Sequence, residues 1–158
     1  MVVFSTVRVF EPWGVTACAL LLPNDEGNLT MMADTLPSHK PFTLSSEELD
    51  LAEATLRNGV IQEKRFAPLP DIQDTEHHVH YYSTIGPVTI LRLVPLQTEQ
   101  RVFGVLCLRI QNPVSWFANV ERMEEDRSRQ GSRNAYFWTY LEQVTSLIER
   151  ALLRSTAA

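Results

Sequence analysis

Three histidines and a glutamate near the middle of the chain have the residue types of a metal site. Glu76, His77, His78 and His80 occur together in the run EHHVHYYS. On a strand, His78 and His80 would face the same side, because side chains alternate between the two faces of a sheet, and imidazole with carboxylate suits several transition metals. A two-residue spacing alone does not supply the closed ligand set of a structural site. We therefore interpret the run as a polar loop that enters a strand, and we expect no tightly bound divalent metal.

The two cysteines are candidates for nucleophilic chemistry. Cys107 lies between Leu106 and Leu108 with no neighbouring base, and Cys18 also lies in an apolar run. Cysteines in such runs behave as small buried hydrophobic side chains. The sequence contains no glycine-rich phosphate loop, serine nucleophile elbow, His-Glu-x-x-His motif or paired-carboxylate motif. We expect a domain that is not an enzyme and that holds no cofactor.

Charge and hydropathy limit the partners. The 158-residue chain has a formal net charge of −5 and a pI near 5.3, whereas general nucleic-acid binding requires a basic surface. No apolar run approaches the roughly 18 residues that span a bilayer. Cysteines in apolar runs, rather than in a disulfide framework, indicate a reducing compartment. These features predict a cytoplasmic segment that neither binds nucleic acid nor inserts into a membrane.

Two antiparallel hairpins are predicted to build the sheet that positions these residues. In residues 90–110, two alternating apolar runs flank the polar turn LQTEQR, which is typical of a half-buried hairpin. An earlier hairpin is predicted by the apolar runs Val15–Leu22 and Asn28–Ala33. The turn Pro23–Gly27 between them supplies a fixed φ, an Asx-type bend and a glycine.

A well-capped helix is predicted over Ser46–Asn58. Ser45 and Glu48 have the spacing of a capping box, and Gly59 is placed to end the helix in the left-handed region. Its predicted apolar face consists of Leu49, Ala52 and Leu56.

Periodicity weakens from Val60 to Thr84, where Pro68 and Pro70 indicate an irregular crossing over the sheet. Loops carried on a rigid sheet concentrate binding residues. The predicted ligand contacts lie in this crossing and the adjoining strand and combine bulk with hydrogen-bonding capacity or charge. They are Phe66, His80, Tyr82 and Arg92.

A further stretch, residues 120–134, is dense in charge and is predicted to be a solvated linker.

A long C-terminal helix is predicted over residues 134–154. Its apolar residues recur at spacings of three and four, which is typical of a heptad seam. The stripe either covers the sheet or pairs with a second copy, and its width favours a homodimer. The predicted dimer seam is formed by Phe137, Leu141, Val144 and Ile148, is continued by Ala151, and is widened by Tyr140, Leu147 and Leu152.

The order of these elements resembles a GAF domain. The runs ALLLPNDEGNLT and AEATLRNG, and the series VPL, FGVLCL and IERALL, are similar to the cytoplasmic GAF segment of KdpD-type sensor histidine kinases. The resemblance implies an α+β fold in which about six antiparallel strands lie between helices. It also implies that residues 1–158 form one domain, with 134–158 as the signalling and dimerisation helix. The implied role is a sensory and relay module that adjoins a kinase domain and binds a small ligand or partner.

Departures from related patterns narrow the ligand. Cyclic-nucleotide-binding GAF domains share an Asn-Lys…Phe-x-x-x-Asp-Glu pattern, of which this chain has only Phe117 followed by Glu121-Arg122. Pigment-binding relatives attach a bilin to a cysteine beside a histidine, whereas the cysteines here have apolar neighbours. A haem-bearing relative would need a ligating histidine in the pocket, for which His78 and His80 are the candidates, but we interpret both as solvated polar residues. The alternative function is a structural dimerisation spacer with no ligand. A reductase of the free methionine sulfoxide type is a more distant possibility, because its cysteine arrangement is not matched.

Overall fold

A five-stranded antiparallel sheet with helices on both faces forms the described part of the chain. The computed structural model describes residues 2–35, 42–66, 89–125, 127 and 134–157. In these ranges the strand order is β2-β1-β5-β4-β3, where about six strands were predicted. The strands are β1 Val15–Pro23, β2 Leu29–Asp34, β3 Gln62–Phe66, β4 Thr89–Gln97 and β5 Val102–Gln111. The helices are α1 Val2–Phe10, α2 Ser46–Asn58, α3 Ser115–Ala118, α4 Val120–Glu125 and α5 Ala135–Ala157, with a 3-10 turn at Glu11–Trp13.

The central hairpin has the predicted alternation. Strands β4 and β5 pair in antiparallel register, with Ile90 opposite Ile110 and Val94 opposite Leu106. Even-numbered residues of β4 and β5 and their neighbours in β1 face α1 and α5, and we call this the terminal-helix face. Its strand residues are Cys18, Leu20, Ile90, Val94, Leu96, Leu106, Leu108 and Ile110. The α2 face carries Ala17, Ala19, Leu21, Leu91, Leu93, Val105 and Cys107.

Helix α2 has the predicted boundaries because its ends are determined locally. The Ser45 hydroxyl accepts from the Glu48 N–H at 3.2 Å, and the Glu48 carboxylate accepts from the Ser45 N–H at 2.9 Å. Gly59 ends the helix with φ 66°, in the left-handed region. The predicted apolar face is partly wrong, since Leu49 is exposed. The helix instead buries Glu48, Ala52 and Thr55, with Leu51 and Leu56 partly buried against the α2 face.

Three elements differ from the sequence interpretation. Within the predicted irregular crossing, Gln62–Phe66 form the edge strand β3, which pairs with β4. The predicted solvated linker begins with helix α4, whose Met123 is fully buried. Helix α1 was not predicted, and it packs Val3 and Phe10 into the core.

The predicted dimer seam lies in the core of the chain itself. Phe137, Leu141, Val144 and Ile148 are buried against the sheet and α1. Phe10 of α1 makes an edge-on ring contact with Phe137 at 5.3 Å. Self-association through α5 therefore stays a prediction, and these four side chains are not exposed to a second copy. No helix in the described ranges is long and apolar enough to cross a membrane.

Candidate functional site

A pocket of about 560 Å³ opens on the α2 face, between the start of α2 and the ends of four strands. Volumes of roughly 300–1,000 Å³ are typical of small-molecule sites. Apolar, hydroxyl and charged groups converge on it. The lining residues are Thr16, Thr43, Leu44, Ser45, Glu48, Phe66, Thr89, Ile90, Leu91, Arg109 and Gln111.

Arg109 brings a positive charge to this pocket from β5. It shares the α2 face with Val105 and Cys107, because the three residues alternate along the strand. Its guanidinium lies 4.4 Å from the centroid of the Phe42 ring and donates to the Thr43 carbonyl at 3.4 Å. Stacking and the hydrogen bond together hold the side chain at the pocket.

Glu48 brings a negative charge that is already engaged. Only 9 % of this residue is exposed, and one carboxylate oxygen accepts from the Ser45 N–H. The other oxygen lies 3.8 Å from Lys64 Nζ, which also pairs with Glu47 at 3.3 Å. Glu48 therefore fixes the start of α2 and its contact with β3.

A second cluster of charges lies on the terminal-helix face. Arg92 is fully buried and pairs with Glu63 of β3 at 3.2 Å. Its guanidinium donates to the Phe117 carbonyl at 2.6 Å and to the Ala118 carbonyl at 3.4 Å. Burial lowers the pKa of Arg92 from its ordinary value, and the neighbouring Glu63 opposes that shift.

The structure separates the predicted ligand contacts. Phe66 lines the pocket and is 39 % exposed, whereas Arg92 lies on the opposite face of the sheet. His80 and Tyr82 lie outside the described residues. A single pocket therefore does not include both Phe66 and Arg92.

Arg109 is absent from the predicted ligand contacts, although the sequence carries a signal for it. In FGVLCLRI, Arg109 falls on the same alternation as Val105 and Cys107, which marks a charged side chain on a covered face. Thr43 and Thr89 carried no comparable signal, because isolated threonines occur in any loop or strand.

The metal prediction is not tested by the structure. All four histidines, including His77 and His78, lie outside the described residues, as does Glu76. Within the described ranges, no group of three or more metal-binding side chains occurs. The described residues that line the pocket supply apolar, hydroxyl and charged groups, which suit a small organic molecule.

Both cysteines lie in the core, as predicted. Burial raises the pKa of the Cys18 thiol to about 12, and a hydrogen bond from Thr6 opposes the shift slightly. Burial also raises the pKa of Cys107. Neither thiol has the low pKa of a reactive cysteine.

An antiparallel sheet with the terminal helices on one face and a helix-covered pocket on the other defines a GAF-like α+β domain. Among solved structures, the chain is similar to the native GAF domain of the potassium sensor histidine kinase KdpD from Escherichia coli, with a TM-score of 0.51 and 13 % sequence identity. The similarity covers 99 % of this chain and 85 % of that one. No family model and no curated protein sequence matches the chain. The fold is therefore GAF-like, as the sequence resemblance implied.

Proposed function

We propose that the chain is a non-catalytic sensory and relay module of a KdpD-type sensor histidine kinase. In this proposal it lies in the cytoplasm, binds a small molecule in the pocket and transmits the event through α5. The observation that carries the proposal is that two consecutive residues of β4 reach the pocket on one face of the sheet and helix α3 on the other. Leu91 borders the pocket, and the next residue, Arg92, contacts the α3 carbonyls on the opposite face.

A short series of contacts supports the relay. Arg92 joins β4 to the end of α3, and it also lies 3.5 Å from the sulfur of Met123 in α4. The Met123 carbonyl accepts from the indole N–H of Trp138 in α5 at 3.2 Å. A displacement of β4 on ligand binding would therefore reach α5 through packed, hydrogen-bonded groups. Such contiguous contacts can carry coupling between two sites.

We further propose that the chain acts as a homodimer beside a kinase domain of a longer protein. Because the predicted seam is buried, the surface available to a second copy is the exposed part of α5, which includes Leu147 and Leu153. A two-fold arrangement would pair this surface with its own copy.

Native mass spectrometry of the purified chain tests ligand binding and dimerisation together. We expect a bound small molecule that is released on denaturation. A Thr89→Trp variant, which places an indole in the pocket, should lose that mass. Thr30→Trp is the matched control, since Thr30 lies on the edge strand β2 outside the pocket.

Hydrogen exchange provides the test of the relay. Occupied wild-type protein should exchange more slowly than Thr89→Trp at amides of α3, α4 and α5. If wild-type protein carries no small molecule and no fraction of a metabolite extract raises its Tm, the ligand-free dimerisation spacer is the better description. A bound ligand with unchanged exchange in α5 would contradict the relay alone.

A further inference from the structure

We infer that the pocket binds an organic molecule through one acidic group, a carboxylate or a phosphate monoester, held by Arg109. The inference rests on the proposed function, because it names the class of ligand for the same pocket. It depends on the contrast between Arg109 and the other arginines of the sheet.

Among the arginines within the described strands, Arg109 is the one whose charge is not balanced by a carboxylate. Arg65 and Arg92 both pair with Glu63, at 3.1 and 3.2 Å. Among the described residues, Arg109 forms no ion pair, and its hydrogen bond is to the Thr43 carbonyl at 3.4 Å. A guanidinium has five N–H donors in a planar fork that matches an oxyanion. The Arg109 side chain is therefore already held in place and still has N–H donors that a ligand can use.

The surrounding charges favour a single acidic group over a polyphosphate. Glu48 lines the same pocket, and Glu47 and Glu48 lie in the first turn of α2, where they balance the positive end of the helix dipole. Lys64 is engaged by both glutamates. One guanidinium therefore faces the ligand beside one carboxylate, and additional negative charges on the ligand would meet repulsion.

The rest of the pocket suits an apolar or aromatic body. Phe66, Leu44 and Leu91 supply apolar surface, while Thr43 and Thr89 supply hydroxyl groups. Such a mixture, with few polar groups around an apolar lining, is typical of sites that recognise small organic molecules. The acidic group would thus set the orientation and the apolar wall would contribute contact area.

The test is a ligand-observed NMR screen of the whole chain with aromatic carboxylic acids, each paired with its neutral primary amide and with the corresponding aryl phosphate. We expect acids or phosphates to bind and their amides to bind at least tenfold more weakly. Comparison of the carboxylate and phosphate arms identifies which oxyanion the fork prefers.

Variants assign the effect to Arg109. Arg109→Gln should weaken binding of the best acid about tenfold to a hundredfold, which corresponds to the loss of a charge-assisted hydrogen bond, and should change binding of the amide less than about twofold. Arg109→Lys keeps the charge but not the planar fork, so its affinity for the best acid should lie between those of wild type and Arg109→Gln. The matched control is Arg101→Gln, since Arg101 also stacks on a phenylalanine, Phe103 at 4.2 Å, outside the pocket. Thermal unfolding of each variant shows whether the fold persists.

The outcomes separate this inference from the proposed function. Equal binding of acid and amide, or an unchanged Kd in folded Arg109→Gln, would overturn the ligand class and leave a ligand-binding module. Absence of binding in all three arms, together with no bound mass in native spectra, would overturn both. If Arg109→Gln does not fold, loss of acid selectivity in Arg109→Lys supports the inference and full retention contradicts it.

Discussion

The Arg92–Glu63 pair, which joins β4 to the edge strand β3, provides the sharpest test of whether burial makes an ion pair of the sheet strong. Glu63→Gln removes the carboxylate charge and keeps an oxygen that accepts a hydrogen bond. Arg92→Met removes the guanidinium and keeps a long apolar side chain. The double variant removes both members, so the two single variants and the double variant form a cycle that measures their coupling.

The expected coupling energy between Arg92 and Glu63 follows from the distance between their charged atoms and from the exposure of Glu63. At 3.2 Å, two unit charges attract by about 5 kcal/mol in an effective dielectric constant of about 20. The Glu63 side chain is 22 % exposed, so solvent screens part of this attraction. We expect a coupling of about 2 kcal/mol. Each single variant should lower the free energy of unfolding by about 2–3 kcal/mol, because one leaves a buried charge and the other leaves the Phe117 carbonyl without its donor.

Urea unfolding followed by tryptophan fluorescence measures these values, since the chain has three tryptophans. Arg65→Met is the matched control. Arg65 pairs with the same Glu63 at 3.1 Å, but its side chain is 51 % exposed, so its loss should cost less than about 1 kcal/mol. A coupling below about 0.5 kcal/mol, or a cost for Arg65→Met as large as that for Arg92→Met, would refute the reasoning that burial makes the pair strong.

Three further predictions concern the α2 cap, the thiols and the α5 surface. Ser45→Ala should lower the free energy of unfolding by about 1 kcal/mol in urea titrations, because it removes the capping box, and an unchanged value would show that the cap contributes nothing. Neither Cys18 nor Cys107 should react with a disulfide reagent at pH 8 until the protein unfolds. Rapid labelling of native protein would contradict this expectation. Because burial raises the pKa of Cys18 from the 9.0 expected for the unfolded chain to about 12, the free energy of unfolding in urea titrations should fall as the pH rises above about 9. Leu147→Glu, at a side chain 56 % exposed, should shift sedimentation towards monomer without loss of stability, whereas Leu141→Glu should destabilise the fold because Leu141 is buried. A wild-type chain that is monomeric at high concentration would remove the basis for the dimer.

Locally determined elements were predictable from the sequence. The boundaries of α2 follow from Ser45, Glu48 and Gly59, whose interactions lie within the helix itself. The β4–β5 hairpin follows from alternation around a short polar turn. In both elements, residues close in sequence determine the structure, so no knowledge of distant partners is needed.

Elements stabilised by distant contacts were not predictable. Strand β3 has the sequence QEKRF, which lacks an apolar alternation, and it forms because β4 supplies hydrogen-bond partners and because Glu63 meets Arg92. Helix α4 has one buried anchor, Met123, in a stretch that is otherwise charged. The stripe on α5 has the same spacing whether it covers a sheet or a second helix. Only the location of Phe137 and its neighbours in the chain's own core distinguishes the two.

The two arginines of the central hairpin show which features of the site are predictable from the sequence and which are not. Alternation places Arg92 with Ile90 and Val94 on one face, and Arg109 with Val105 and Cys107 on the other, so the face of each charge is readable from the sequence. The partner of each charge is not. Arg92 meets Glu63, which is 29 residues away in the chain, and becomes a fully buried structural link. Arg109 meets a carbonyl and a phenyl ring instead, and keeps donors at a pocket. We therefore expect substitution of Arg92 to change stability first and ligand affinity second, and substitution of Arg109 to have the reverse order of effects.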